Sequence, residues 1–340
     1  MNQYSSLVSE EHILSCINKY FPDQSHFITA GRGDDCAILS VTSPLCISTD
    51  MFIENIHFRH SYFSPEDIGW KALAVNLSDI AACGAQPIGF TVGLALPLNT
   101  SIDILEGIYS GMSRLAKQFN LPLLGGDLSQ ASELSICITI LGETHAPLLR
   151  AQAQPGDIIF IIGQVGLAHT GLQLLEQQGT KAIELYPKSC MAHLRPFPLI
   201  HEGLALSKMA KSWSQQTNTP HRLALIDNSD GLAQDIPRLL GKGKGADITI
   251  PALDHEIIQF IESHYTENEY SPDLHAVIGG EDYSLIGTCS PNFGAKLNMV
   301  ISNLTIIGSV TDSEPILFNG QQMQGFDHFR GNYINPSNKL

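Results

Sequence analysis

The stretch KALAVNLSDIAACGA, residues 71–85, limits what this chain can fold into more than any other. Ser64 and Pro65 supply an N-cap and a first helical residue, and Gly84 supplies an exit, so the pattern predicts a helix over residues 64–85. That helix is so apolar that most of its circumference has to be buried. Asp79 then sits as an acid in apolar surroundings, where an unpaired carboxylate is costly. It needs a cation, a strong set of hydrogen bonds or a proton; a cap or a salt bridge would be the plain structural alternative.

Acids recur at the ends of other short motifs: GRGDD with Asp34 and Asp35, STD with Ser48, Thr49 and Asp50, GGD with Gly126 and Asp127, IDNSD with Asp227, Ser229 and Asp230, and GGED with Glu281 and Asp282. Taken singly, each is ordinary turn composition. Taken together with Asp79, they supply hard oxygen ligands beside glycines that let a ligand approach the backbone, a combination that suits Mg²⁺. The chain has only 19 Lys plus Arg against 34 Asp plus Glu, a net charge of -15. A broad basic surface for nucleic acid or anionic lipid is therefore not expected, and an anionic substrate would need metal ions to approach.

The order of patterns is mixed. LCIST (45–49) reads as a strand delivering Asp50 at its end, 89–97 and 134–143 read as strands, and 101–120 reads as an amphipathic helix. A polar stretch with a Pro-Gly turn at 148–157 marks a boundary, giving domains 1–150 and 151–340. The second holds a strand, turn and helix at 158–178, a helix near 199–213, a strand at 223–227, a helix at 231–242 and strands near 248–250 and 283–289. The fold class expected is α/β or α+β.

Seven scattered cysteines with no C-x-x-C pair, no signal-like leader and no apolar run near the membrane-spanning length of about 20 residues lead to the expectation of a soluble, cytoplasmic protein with reduced thiols. GKGKG (241–245) lacks the spacing of a phosphate loop, GQVG (163–166) reads as a tight turn, and none of the 13 histidines lies in H-E-x-x-H.

The ordered set GRGDDCAIL, STDMFIENIHF, WKALAVNLSDIAACGAQP, GGD, IDNSDGL, GGEDYSL and GFDHF resembles the thiamine-monophosphate kinase family of the aminoimidazole ribonucleotide synthetase-like (PurM-like) superfamily. The resemblance runs from about residue 10 to the C-terminal GFDHF. It implies a two-domain PurM-like fold whose N-terminal sheet pairs with that of a second subunit in a barrel-like dimer interface. By the same resemblance Asp35, Ser48, Thr49, Asp50, Asp79, Asp127, Asp227 and Asp230 fall at Mg²⁺ positions, and Gly126, Asp127, Arg150 and Ser229 at ATP positions. His57, Glu281 and Phe326 fall where the family holds thiamine monophosphate. The implied reaction is direct in-line transfer from ATP to thiamine monophosphate, with several Mg²⁺ ions and the acids Asp35, Asp50, Asp79, Asp127 and Asp230 at its centre.

The sequence departs from the family pattern at Gln86, Asn228, Ser284 and Phe326, none of them a proposed metal ligand. Two alternatives are another ATP-using enzyme of the superfamily, such as a selenophosphate synthetase or an aminoimidazole ribonucleotide synthetase, and a non-catalytic nucleotide-binding protein. A selenophosphate synthetase would place a reactive cysteine or selenocysteine in a Gly-rich N-terminal loop, whereas Cys16 lies in the helical pattern HILSCINKY.

Overall fold

The computed structural model describes residues 10–21, 28–30, 38–218, 222–266 and 270–323; Asp34, Asp35 and Phe326 lie outside them. The chain divides into two compact units, Met1–Ile80 with Ala85–His145, and Ala81–Gly84 with Ala146–Leu340.

The first unit runs α1 (Glu10–Tyr20), β1 (Ile28–Ala30), β2 (Ile38–Leu39), β3 (Leu45–Ile53), α2 (Pro65–Ala82), β4 (Gln86–Leu96), α3 (Ile102–Ala116), β5 (Leu123–Gln130) and β6 (Ser135–Glu143). β1 and β2 pair as a small antiparallel ribbon, and the main sheet has the order β3-β6-β4-β5 with only β4 and β5 parallel. Alternation decides its two faces. Ile136, Ile138 and Ile140 of β6 are buried while Cys137, Thr139 and Leu141 are half-exposed; on β3, Phe52 is buried while Leu45, Ile47, Thr49 and Met51 are exposed.

α2 is buried nearly all round, as its composition requires, and it carries Lys71, Asn76 and Ser78 inside with the apolar residues. Its start is a reciprocal cap: the Asp67 amide donates to Ser64 Oγ at 3.2 Å and the Ser64 amide donates to Asp67 Oδ2 at 3.1 Å. α2 and α3 approach closely because glycines face the neighbouring backbone. A Cβ on Gly69 would lie 1.8 Å from the Ile108 carbonyl oxygen, and one on Gly111 would lie 2.0 Å from that of Glu66.

Two motifs, one expected at a strand end and one read as turn composition, lie inside strands. Asp50 is mid-strand, opposite Ile138, because Met51 and Phe52 continue the exposed-buried alternation. GGD belongs to β5, with Gly126 opposite Val92 and Asp127 opposite Gly93.

The second unit contains β7 (Ile158–Ile162), α4 (Leu167–Gln178), α5 (Ala182–Leu185), α6 (Pro187–Leu194), α7 (Ile200–Thr217), β8 (Ala224–Asp227), α8 (Leu232–Leu240) and β9 (Gly245–Ile248). It continues with α9 (His255–His264), α10 (Pro272–Ile278), β10 (Leu285–Cys289), α11 (Pro291–Val300), β11 (Leu304–Thr311) and β12 (Ile316–Phe318). Its sheet has the order β12-β9-β11-β7-β10-β8, antiparallel except for β12 with β9. Ile159, Ile161, Ala224, Ile226, Ile236, Leu239 and Val277 form the centre of a continuous apolar core. Among the described residues no helix is long and apolar enough to cross a membrane, and the six described cysteines are free thiols.

Gly111→Ala is expected to lower the urea midpoint with little change in slope, by about 1–3 kcal/mol, because backbone would have to move to admit the methyl group. A midpoint equal to wild type would show that α2 and α3 can separate without loss.

Candidate functional site

In the first unit the acids converge from a strand and a helix. Ser48 and Asp50 lie on the half-buried face of β3, the face opposite to Ile47, Thr49 and Met51. Ser48 Oγ donates a hydrogen bond to Asp79 Oδ2 of α2. The Asp50 carboxyl is pushed up to about 6, first by burial and then by the charge of Asp79. A carboxyl whose proton affinity is raised by burial and by a neighbouring carboxylate marks a place where a cation is favourable.

The structure sends the hydroxyl of Thr49 elsewhere. It meets Thr139 Oγ1 at 2.9 Å on the open face. Asp127 is exposed on β5 and accepts from Ser129 Oγ at 3.1 Å. Gly126 has a packing reason of its own, since a Cβ there would lie 2.0 Å from the Val92 carbonyl oxygen. His57 follows β3 and stacks on Phe52 with ring centroids 5.8 Å apart. Its Nδ1 accepts the Ile53 amide at 3.0 Å, so in the neutral ring the proton sits on Nε2.

In the second unit IDNSD and GGED are held side by side by main chain. The Asn228 amide donates to the Ser284 carbonyl at 2.7 Å, the Tyr283 amide to the Asn228 carbonyl at 2.9 Å and the Glu281 amide to the Ser229 carbonyl at 2.8 Å. Gly280 permits that approach: a Cβ there would lie 2.5 Å from the Ser229 carbonyl oxygen. Asp227 ends β8 and is buried, whereas Asp230 is partly exposed and ion-paired with Arg238 of α8. Arg238 also donates to Asp235 Oδ1 at 2.9 Å. Arg150 is exposed, and the chain just after it is pinned to α8 by the Ala151 amide, which donates to the Leu239 carbonyl at 2.8 Å.

Asp282 is committed to structure. Its Oδ2 accepts the Gly166 amide at 2.6 Å and its Oδ1 accepts the Ala168 amide at 3.0 Å, capping α4, whose own N-cap residue, Gly166, has no side chain to do so. Burial nevertheless pushes its carboxyl up to about 7 against these donors. Glu281 Oε2 lies 3.0 Å from Nδ1 of the buried His193 of α6.

Hard oxygen donors fit Mg²⁺, which uses one or two carboxylates and takes the rest of its shell from water and phosphate. Asp50, Asp79 and Ser48 in the first unit, and Asp227 and Asp230 in the second, are of that kind. Among the described residues no group of three or more His, Cys, Asp or Glu side chains is arranged to hold a metal by itself. Protein ligands alone would therefore leave part of the shell to phosphate oxygens.

Residues 33–144 match the family described as AIR synthase related protein, N-terminal domain. Over 95% of its length the chain is 32% identical to a thiamine-monophosphate kinase of Synechococcus elongatus, covering 97% of that protein. It is 32% identical to that of Bacillus subtilis, over 89% of this chain and 94% of the other. The chain belongs to the thiamine-monophosphate kinase family. A crystal structure of the enzyme from Stenotrophomonas maltophilia is 30% identical, with a TM-score of 0.74 over 92% of this chain and 96% of that one. A solved complex described as AaThiL with AMPPCP and TMP is 28% identical, with a TM-score of 0.74 over 94% and 97% of the two chains. A hydrogenase maturation protein HypE at 20% identity, TM-score 0.71, covering 93% of this chain and 92% of its own, shares the fold alone.

Of the positions marked by thiamine-monophosphate kinase motifs, the structure joins Ser48 and Asp50 to Asp79, and brings the Asp227–Asp230 loop to Glu281. Asn228, one of the departures, is fully buried and leaves both side-chain polar atoms without a hydrogen bond; Ser284 beside it leaves its hydroxyl in the same state. Sequence reasoning missed Arg238, ion-paired with Asp230, and His193, whose Nδ1 meets Glu281. Arg238 carries a signal, eight residues after Asp230 on the helix the loop starts; His193 carries none. Cys16 is buried in α1 and its thiol is pushed up to about 11, chiefly by burial, the reverse of an activated cysteine.

The raised carboxyl of Asp282 makes the native state bind its proton more tightly than the unfolded chain does. Between the ordinary carboxylate range and about 7, stability from this group falls as pH rises. Urea unfolding from pH 4 to pH 8 should therefore show a steeper decline for wild type than for Asp282→Asn, each referred to its own value at pH 4. Parallel curves would mean that Asp282 is ionised throughout.

Proposed function

We propose that this chain transfers the γ-phosphoryl group of ATP to thiamine monophosphate, giving thiamine diphosphate and ADP. The observation that carries this reading is near full-length similarity to thiamine-monophosphate kinases, with the Asp50–Asp79 pair built where the family's motifs place acids. A phosphate oxygen of the acceptor attacks the γ-phosphorus in line, and the bond from that phosphorus to the β–γ bridging oxygen breaks. The acceptor phosphate is already ionised near neutral pH, so no protein base has to remove a proton. That agrees with a set of motif acids committed to cations, helix caps or ion pairs.

Mg²⁺, when bound, would supply neutralisation of the phosphate charges. In the first unit Asp50, Asp79 and the Ser48 hydroxyl would hold it, with Asp35, Thr49 and Asp127 as further family positions. In the second unit Asp227 and Asp230 would do so, and Arg238 would have to release Asp230. Gly126, Asp127, Arg150 and Ser229 are assigned to the nucleotide, and His57, Glu281 and Phe326 to thiamine monophosphate. His57 would offer its Nε2–H as a donor.

The choice of acceptor tests the reaction. Initial rates at saturating ATP and Mg²⁺ should be far higher with thiamine monophosphate than with free thiamine, and the product should be thiamine diphosphate by mass. Faster transfer to thiamine would convert the assignment to a hydroxyl kinase.

The reading includes a homodimer formed by the first unit's sheet. Its support is the outer strand β3, which presents Leu45, Ile47 and Met51 on an open face at 42%, 65% and 48% exposure beside Leu141 of β6. Ile47→Asp should sediment as a monomer where wild type sediments as a dimer. An unchanged dimer would place the interface elsewhere.

A further inference from the structure

Glu281 sits in a loop fixed on three sides. Its amide is tied to Ser229, the next residue caps α4, and Tyr283 is tied to Asn228. Glu281 and Tyr283 both take positive φ, 67° and 49°, values uncommon for non-glycine residues. Gly279 leaves room for α4, since a Cβ there would lie 2.7 Å from His169 Cβ. The backbone is thus aimed, and the remaining freedom is in the Glu281 side chain.

His193 removes that freedom. Its ring is 1% exposed, and its Nδ1 reaches Oε2 of a Glu281 side chain that is 27% exposed. One carboxylate oxygen is turned into the protein while the group still reaches the surface. A second histidine, His169, lies near Glu281. His169 is buried, hydrogen-bonded to Gln173 at 2.9 Å, and held neutral by burial with its pKa lowered to about 4. A purely structural contact could be closed off from solvent on both sides; this one is closed on the histidine side alone.

We propose that His193 is a positioning residue for the acceptor, holding Oε2 of Glu281 so that Oε1 is presented to the exocyclic amino group of an aminopyrimidine. This rests on the proposed place of Glu281 at thiamine monophosphate and adds to it the residue that orients the carboxylate and the ligand atom it selects. An acceptor-only oxygen favours an N–H donor and disfavours an oxygen at the same place. Holding the carboxylate in advance spares the loss of side-chain freedom on binding.

The test uses His193→Gln, which removes the donor at the Nδ1 position, His193→Asn, whose amide nitrogen falls near that position, Glu281→Gln and the double variant His193→Gln/Glu281→Gln. Two quantities are read for each: KM for thiamine monophosphate and for ATP, and the ratio of kcat/KM for thiamine monophosphate to that for oxythiamine monophosphate, in which oxygen replaces the amino group. His193→Gln should raise the acceptor KM by about tenfold, as loss of a hydrogen bond to a charged group does, leave the ATP KM within about twofold and reduce the discrimination against the oxygen analogue. His193→Asn should recover most of both, and the double variant should be no worse than Glu281→Gln. Equal rises in both KM values, unchanged discrimination, or additive losses in the double variant would overturn the positioning role. If Glu281→Gln alone leaves the acceptor KM unchanged while thiamine diphosphate still forms, the placement of Glu281 fails, and the proposal with it. His193→Asn against Glu281→Gln decides the matter should His193→Gln not fold.

Discussion

Like charges brought together in partial burial are the constraint around which the first unit is arranged. Asp50 on β3 and Asp79 on α2 face one another, and burial with mutual repulsion lifts the proton affinity of Asp50. An arrangement of this kind is unfavourable by itself and becomes favourable when positive charge enters. The surrounding structure is correspondingly stiff: α2 is capped reciprocally at Ser64 and Asp67, buried on nearly every side and pressed against α3 at Gly69 and Gly111. The strand that carries Asp50 is paired along its whole length with β6. Repulsion between two side chains can persist only when neither backbone can retreat.

The second unit solves a different problem by different means. Its motif acids are managed individually: Asp230 has Arg238, Asp282 has the amides of α4, and Glu281 has His193. Main-chain hydrogen bonds between the Asn228–Ser229 and Glu281–Ser284 segments keep these separate arrangements in one register. GGED thereby divides its labour between adjacent residues, one acid stabilising a helix start and the other facing outward.

Much of this was legible in the residues, for physical reasons that can be named. The apolar circumference of 71–82 announced a buried helix, and Ser64-Pro65 announced its start. The Ile-rich alternation of 134–143 announced β6. The motif acids were legible as a set because each departs from its surroundings. What was not legible depended on tertiary partners. GGD looked like a turn, and only pairing with β4 makes it a strand. STD looked like a strand end, because the buried Phe52 that extends the strand is recognised as buried only against the core. β1, β2, α5, α6, α9, α10, α11, β11 and β12 were not anticipated, and with α6 went His193, whose significance comes entirely from where Glu281 lies. Thr49 was grouped with Ser48 and Asp50 by sequence adjacency, although strand alternation sends its hydroxyl to the other side.

That alternation makes β3 intolerant of one kind of change. Ser48 and Asp50 share one set of alternate positions with the buried Phe52, while Leu45, Ile47 and Met51 stand on the open face, so the two sets of side chains are interleaved in the same nine residues. Loss or gain of one residue would exchange the two sets, exposing the acid to the open face and turning Ile47 and Met51 towards the acid pair. A change of two would restore the assignment of faces. Length variation in this strand across evolution should therefore come in even steps, a parity rule imposed by the pleat.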